Sequence, residues 1–500
     1  MKRQAKVMLN QGAAALRSPV ERQTSRLGYD AVDDVKKRRQ ASPTLRSEDL
    51  ELNAAKRRQL VAQANDCMRN FAIARWAVGK HLDFVSRFGF SCQTKTAFDY
   101  DVQTLMEEWS NEPTQCDIMG RHTLDRIVRM TEARAVLAGD HVLAKLKSGH
   151  IQQIEGDRIR DEVSLIDESM VHGVRINEQG RALAYRVWRR LKAGNYQFER
   201  ELRAEDVLFH GYFPSERSDQ VRGIGLITAG LNDFVDAYEW QDLTKATAKL
   251  RTAFGIIVTT KALDGIGTHT DITEDTDGDG LLTDETPKYE VDLGKGPFKV
   301  ELDPEEDMKF LHDDSPSPNT FEFFKSTIGF ALKSLDIPLS FYDEGLTNFF
   351  GQRAALILYL ESCKTKRKNL VMNVLRPLTR WKIRQWVAEK RLRVPPNGNI
   401  DRVPFNWHPA GCPYWNPSQE INADIQAIQS GLGNWEDIYL ERTGRDWFAD
   451  MKRLAEQQQF LKDNNVALDP KVIQFIQIGS DPVQTGSNPL SSLPTGGLAL

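Results

Sequence analysis

The densest candidate chemistry in this sequence is Asp275-Thr-Asp277-Gly-Asp279-Gly280. Carboxylates on alternate residues can converge on one cation, and glycine permits the sharp turn that brings them together, as in a calcium loop. The bidentate ligand that closes such a loop falls where this chain has Thr286. Starting instead at Thr273 brings in Asp284 as the closing acid but loses the first one. Asp275, Asp277, Asp279 and Asp284 therefore form an incomplete calcium set, and the plainer reading is a solvated acidic turn. No cofactor is required on either reading. Gly294-Lys295 resembles the end of a phosphate loop, but Gly296 stands where Ser or Thr would bind magnesium, and Tyr289 stands where the loop needs glycine. The nine histidines are dispersed, and no HExxH, CxxC or GxSxG arrangement occurs. The chain is expected not to be an enzyme.

The elements that must position these residues begin from 500 residues with 40% hydrophobic and 27% charged content, a globular composition. The longest apolar run is Ala354 to Leu360, far short of the ~20 residues that cross a membrane. No secretory signal is read at the N-terminus. The five cysteines, at 67, 92, 116, 363 and 412, form no pair pattern, so a reducing compartment is expected. The net charge of −4 conceals blocks of opposite sign. Residues 1–60 carry 14 Lys/Arg against 7 Asp/Glu, residues 271–314 carry 4 against 16, and residues 353–393 carry 12 against 2. Such blocks mark solvated faces or interaction surfaces.

Residues 1–45 read as a basic, disordered arm. Leu60, Ala64, Cys67, Phe71, Ala74, Val78 and Leu82 make one apolar helical stripe, ended by the turn Arg87-Phe88-Gly89-Phe90. A second helix is expected over 119–136. Short β-type runs at Val142–Lys147, Gly173–Ile176, Ala184–Val187 and Asp206–His210, broken by turns such as Asn177-Glu-Gln-Gly180, predict a small antiparallel sheet. A helix over 225–250 and a strand at Gly255-Ile-Ile-Val-Thr-Thr260 follow. Phe321 to Leu335 is a helix with an aromatic face (Phe321, Phe324, Phe330), stopped by Pro338. A loop at 339–350 leads to a long helix over 351–390, with a stripe of Leu356, Leu360, Cys363, Leu370, Val374, Leu378 and Trp381 and a kink at Pro377. Residues 395–417 are a Pro-rich extended connector, two helices at 420–431 and 447–463 follow, and 478–500 is a disordered tail.

Particular segments resemble the lambda-type portal proteins of tailed bacteriophages. They are Ile151-Gln-Gln-Ile-Glu-Gly-Asp-Arg-Ile159, Val171 to Val187, Asp206-Val-Leu-Phe-His210, and Ser215 to Gly223. Ile337-Pro338, Asn348 to Tyr359, Gly431-Leu-Gly433 and Thr443-Gly-Arg-Asp446 continue the likeness in the same order. Phe349-Phe350-Gly351-Gln352 stands before Arg353-Ala354 where that family carries small hydroxyl residues.

The resemblance implies an α+β, mainly helical portal fold: a wing with a small antiparallel sheet (46–222), stem helix one (225–250), an acidic clip (251–316) and stem helix two (317–335). A tunnel loop (339–350), a long kinked helix (351–390), the connector (395–417) and a helical crown (418–477) complete it. It implies a head–tail connector: a homo-oligomeric ring, dodecameric in this family, at one capsid vertex, through which double-stranded DNA is packaged and ejected. The implied partners are the terminase, the major capsid and scaffolding proteins, and head-completion or tail adaptor proteins, with no membrane. The implied location is the virion, with assembly in the host cytoplasm. Asn348, Phe349, Phe350 and Arg353 are the candidate channel residues, and Asp275, Asp277 and Asp279 the candidate docking residues of the clip. The competing readings are a DNA-processing enzyme of a packaging system and a calcium-binding adaptor.

Overall fold

A computed structural model of the chain describes residues 46–161, 169–192, 194–253, 256–260, 306–310, 318–343, 345 and 348–464. The expected arm 1–45, most of the acidic segment with Asp275, Asp277, Asp279 and Asp284, and the tail 478–500 lie outside the described residues. The fold is mainly helical with small antiparallel sheets, as expected.

The stripe that begins at Leu60 forms two helices rather than one, α1 (Ala54–Asn70) and α2 (Ala72–Val85). Asn53 caps α1 by accepting hydrogen bonds from the N–H groups of Ala55 and Lys56. Phe71 separates the two helices in an extended conformation, and its ring stacks on Tyr238 at 4.4 Å. A tertiary contact, not a glycine or proline, accompanies the break. The segment 87–90 is not a terminating turn: strand β1 (Phe88–Cys92) pairs with β11 (Phe405–Pro409), so the Pro-rich connector folds back onto the N-terminal part of the chain. A helix that was not anticipated, α3 (Ala97–Asn111), buries Phe98, Val102, Met106 and Trp109. The second anticipated helix, α4 (Leu124–Ala138), starts five residues late, where Thr123 supplies the cap.

The expected small sheet is two sheets. Strands β2 (Asp140–Lys145), β3 (Ile151–Glu155) and β8 (Val207–Gly211) pair in the order β3-β2-β8. Strands β4 (Met170–Val171), β5 (Val174–Ile176), β6 (Ala182–Arg190) and β7 (Tyr196–Arg203) make a meander. Val142, Ile154, Val174, Val187 and Val207 form the core between them. Helix α5 (Leu231–Ala253) follows a short 3-10 turn at Leu226–Gly230. Strand β9 (Ile256–Thr260) pairs with β10 (Glu306–Phe310). Helix α6 (Pro318–Lys333) packs through its aliphatic face, Ile328, Ala331 and Leu332, whereas Phe321, Phe323 and Phe330 are exposed. Of the expected aromatic face, Phe321 and Phe330 lie outward while Phe324 packs against the core.

The long helix begins at Phe349, two residues earlier than anticipated, as α7 (Phe349–Leu370). It passes through a π turn at Val371–Leu375 into α8 (Arg376–Ala388). Pro377 has no N–H to donate back along the helix, and the N–H of Arg376 reaches the carbonyl of Val371 instead, which widens the turn. The helix spans two cores. Tyr359 and Cys363 join α1, α2, α5 and α6, while Leu370, Val374, Leu378, Ile383 and Trp386 join α3, α4 and the β1–β11 pair. The C-terminal region has three helices rather than two: α9 (Pro417–Gln429), α10 (Trp435–Thr443) and α11 (Trp447–Asp463).

Two buried polar clusters hold the N-terminal half together. Arg222 donates to both oxygens of Asp140 at 2.7 and 2.8 Å, and to the carbonyls of Gly156, Ile159 and His172. All five of its N–H groups are used. Burial alone would push the Asp140 carboxyl up, but the charge and hydrogen bonds of Arg222, with Arg57 and the Gly223 N–H, hold it below its ordinary value. Glu132 accepts from His81 at 2.7 Å, His210 at 2.8 Å and Tyr212 at 2.5 Å, tying α4 to α2 and β8.

Replacing Asp140 by alanine strands a buried guanidinium. A loss of about 3–5 kcal/mol in urea unfolding is expected. A loss comparable to that of an exposed substitution would show that Arg222 finds other compensation.

Candidate functional site

The candidate channel residues sit at the start of the long helix, held against the C-terminal helices. Asn348 is the cap of α7: its side-chain oxygen accepts from the Gly351 N–H at 2.9 Å. Phe349 and Phe350 therefore occupy the first helical turn, not the preceding loop. Their rings meet edge to face at 5.6 Å. Phe349 also lies 5.8 Å from the ring of Trp415, ahead of α9. Phe350 remains 77% exposed, so one ring anchors and the other projects.

Arg353, one turn on, does not project. Its guanidinium forms an ion pair with Glu420 of α9 at 3.1 Å. The other Glu420 oxygen accepts from Arg442 of α10 at 2.8 Å, and Arg442 grips both oxygens of Asp424 at 3.0 and 3.1 Å. The Arg442 guanidinium also lies over Tyr414 at 4.7 Å. The chain Arg353–Glu420–Arg442–Asp424 thus ties the first turn of α7 to α9 and α10. Bidentate arginine–carboxylate contacts fix orientation as well as charge. Ahead of the aromatic pair in the chain, Lys325 of α6 bridges to Asp343 at 2.8 Å, fixing the entry to the loop.

The structure brings Asn348, Phe349, Phe350 and Arg353 together. It says nothing of Asp275, Asp277, Asp279 and Asp284, which lie outside the described residues. Among the described residues no group of three or more His, Cys, Asp or Glu is arranged to hold a metal ion. None of the described helices is long and apolar enough to cross a membrane. All five cysteines are free thiols.

Part of the basic character of the long helix is spent inside the molecule. Lys366 bridges to Asp336 at 2.7 Å, and Arg367 donates to the carbonyl of Phe84 at 2.7 Å. Lys382 is buried in a cage of three indoles, 4.7 Å from Trp109, 5.3 Å from Trp381 and 5.2 Å from Trp386. It also donates to the carbonyl of Gly149 and to Gln385. Burial pushes its ammonium down to about 8, while the indole faces favour the charge. Sequence reasoning read Trp381 only as part of an apolar stripe and missed the cage. The adjacent Trp381-Lys382, with Trp386 one helical turn away, was the available signal.

Comparison with known families finds that the model of the phage portal protein, lambda family, matches residues 36–367. No curated protein matches the chain. Among solved structures, it is similar to the neck of an empty GTA particle computed with C6 symmetry, at 12% identity and a TM-score of 0.40, over 76% of this chain and 92% of that one. It is similar to a chain of the virion of the native gene transfer agent (GTA) particle, at 12% identity and a TM-score of 0.37, over 78% of this chain and 98% of that one. A third is an HK97-family phage portal protein from Corynebacterium diphtheriae, at 12% identity and a TM-score of 0.26, over 74% of this chain and 97% of that one.

Two outcomes test this geometry. Arg442→Ala leaves Glu420 and Asp424 facing each other without their shared cation, and a loss of about 1–3 kcal/mol is expected. Amide exchange should quicken in 417–443 and leave 54–85 unchanged; uniform exchange would refute the local clamp. For Lys382, the folded value of about 8 lies below that of an unfolded lysine, so the unfolded chain binds more protons in the window between them. Stability should therefore rise as pH climbs from about 8 to about 10. In Lys382→Met that gain should vanish from paired denaturation curves.

Proposed function

We propose, from the fact that this chain belongs to the lambda family of phage portal proteins, that it assembles as a ring around a channel for double-stranded DNA. The family match over 36–367 is the observation that carries this reading. The family is one of head–tail connectors, and on this reading the chain serves as a structural rather than a catalytic part of the particle. In the proposed ring, 46–222 is the wing, α5 and α6 form the stem, the segment between them forms the clip, and α9 to α11 form the crown. Twelve copies, the terminase at one face, head-completion or tail adaptor proteins and a place in the virion belong to the same proposal.

The first turn of α7 is the proposed collar. An apolar ring edge touches a passing duplex without the counterion release that makes phosphate contacts sticky. Phe350 is the contact, since it is the more exposed of the pair and Phe349 leans on Trp415. Arg353 is a brace, because Glu420 already holds its charge.

Negative-stain images of the purified protein should show rings, and the same preparation should neither hydrolyse ATP nor cleave DNA. Phe349→Ala/Phe350→Ala should leave ring size unchanged and lower DNA retention in filled heads severalfold. Retention equal to wild type would remove the collar, and loss of rings would assign the pair to subunit packing.

A further inference from the structure

We infer that the wing carries a binding site for a small phosphate-class polyanion, held by arginines of α1 and α4. The site is a cavity of about 740 Å³ bounded by α1, the C-terminal half of α4, the turn after β3 and the β6–β7 hairpin. This volume lies within the ~300–1,000 Å³ of small-molecule pockets. Arg57, Arg58 and Arg69 line it from α1, and Arg134 from α4.

The counter-charges on the same walls are fewer: seven arginines line them against Glu155, Asp157 and Asp161. Glu155 accepts from Arg190 at 2.5 Å, and Asp157 from Arg190 at 2.7 Å and from Tyr196. Asp161 accepts from the Gly173 N–H at 2.6 Å. Arg222 is consumed by Asp140. Among the described residues the nearest carboxylate to any of the four arginines is Asp49, 4.0 Å from Arg57. Its two oxygens accept from the N–H groups of Val221 and Arg222.

Arg57 points to the ligand. Its Nη1 donates to the carbonyl of Gly223 at 2.7 Å, but Nε and Nη2 are buried and have no hydrogen-bond partner. Those two nitrogens form the edge of the guanidinium fork that pairs with two oxyanion oxygens; neither has surface open to solvent as it stands, so the ligand engages them by a shift of the Arg57 side chain. Burial and the charge of Arg222 also push Arg57 down to about 10, which an added anion would reverse. A single carboxylate would leave several of the four cations uncompensated; a di- or triphosphate group supplies enough oxygens and charge. The phosphate can come from a free polyphosphate or from a nucleic-acid backbone whose phosphates reach the mouth.

The test is calorimetric titration of the full chain with sodium tripolyphosphate. Saturable binding is expected, with about tenfold weaker affinity in Arg58→Gln/Arg134→Gln and near-normal affinity in Arg134→Lys. Arg69→Gln, at an exposed position, is the second variant should the double variant melt early, and it too should weaken binding. Displacement of tripolyphosphate by a short DNA duplex would identify the backbone as the source, and failure to displace would identify a free anion. No saturable heat at millimolar tripolyphosphate, or equal affinity in the wild type and in stably folded glutamine variants, would overturn the inference.

Discussion

A buried guanidinium must find a partner for every N–H it carries, and Arg222 does so in a way that dictates the arrangement of the segments around it. Its fork on Asp140 fixes the start of β2, and its remaining donors collect the carbonyls of Gly156 and Ile159 from one turn and of His172 from another. Gly139 and Gly223 approach so closely that a Cβ on either would strike the other's backbone, and Gly139 takes a positive φ of 97°. The close approach lets the Gly223 N–H reach Asp140 as well, at 3.0 Å. A charge pair so enclosed contributes less to net stability than to selecting one arrangement, because every alternative leaves a charge buried and unpaired.

The long helix extends that rigid body into the rest of the chain. Its first half packs into the core of α1, α2, α5 and α6, and its second half into the core of α3, α4 and β11. The π turn before Pro377 lies between the two halves, so one helix serves two cores without a break. Lys382 then locks the second half to α3 through Trp109 and to the turn at Gly149. With both halves fixed, the first turn at Phe349 is placed by packing rather than by its loop, and the C-terminal helices attach to it through Arg353 and Arg442.

What the sequence made legible were features decided within a few residues. The turn at Asn177 forms as read: the Asn177 side chain accepts from the N–H groups of Gln179 and Arg181, and Gly180 takes a φ of 77°. The stripe from Leu356 to Trp381 forms one long helical face, and the disturbance expected at Pro377 appears as the π turn. Helix α3 carried its own signal in Thr96 as cap and in Phe98, Val102, Met106 and Trp109 at helical spacing. Contacts between distant segments were not legible. The pairing of β1 with β11 joins residues more than three hundred apart, and the break at Phe71 goes with a ring on α5. The candidate site was half legible: the aromatic pair and Asn348 were visible, but the partner that removes Arg353 from the surface lies far along the chain in α9.

That removal bears on how strongly a basic helix can hold phosphate. Between 353 and 393, Arg353, Lys364, Lys366, Arg384 and Arg391 pair with carboxylates of the same chain, while Arg367 and Lys382 donate to backbone carbonyls. Phosphate affinity scales with the number of cations free to displace counterions. A sequence count of twelve Lys/Arg therefore overstates the hold this helix would have on a duplex. In the channel role proposed above, internal pairing gives the helix its position and a weakened phosphate grip at once. In that same proposed role the exposed ring of Phe350 would make a contact that salt does not control.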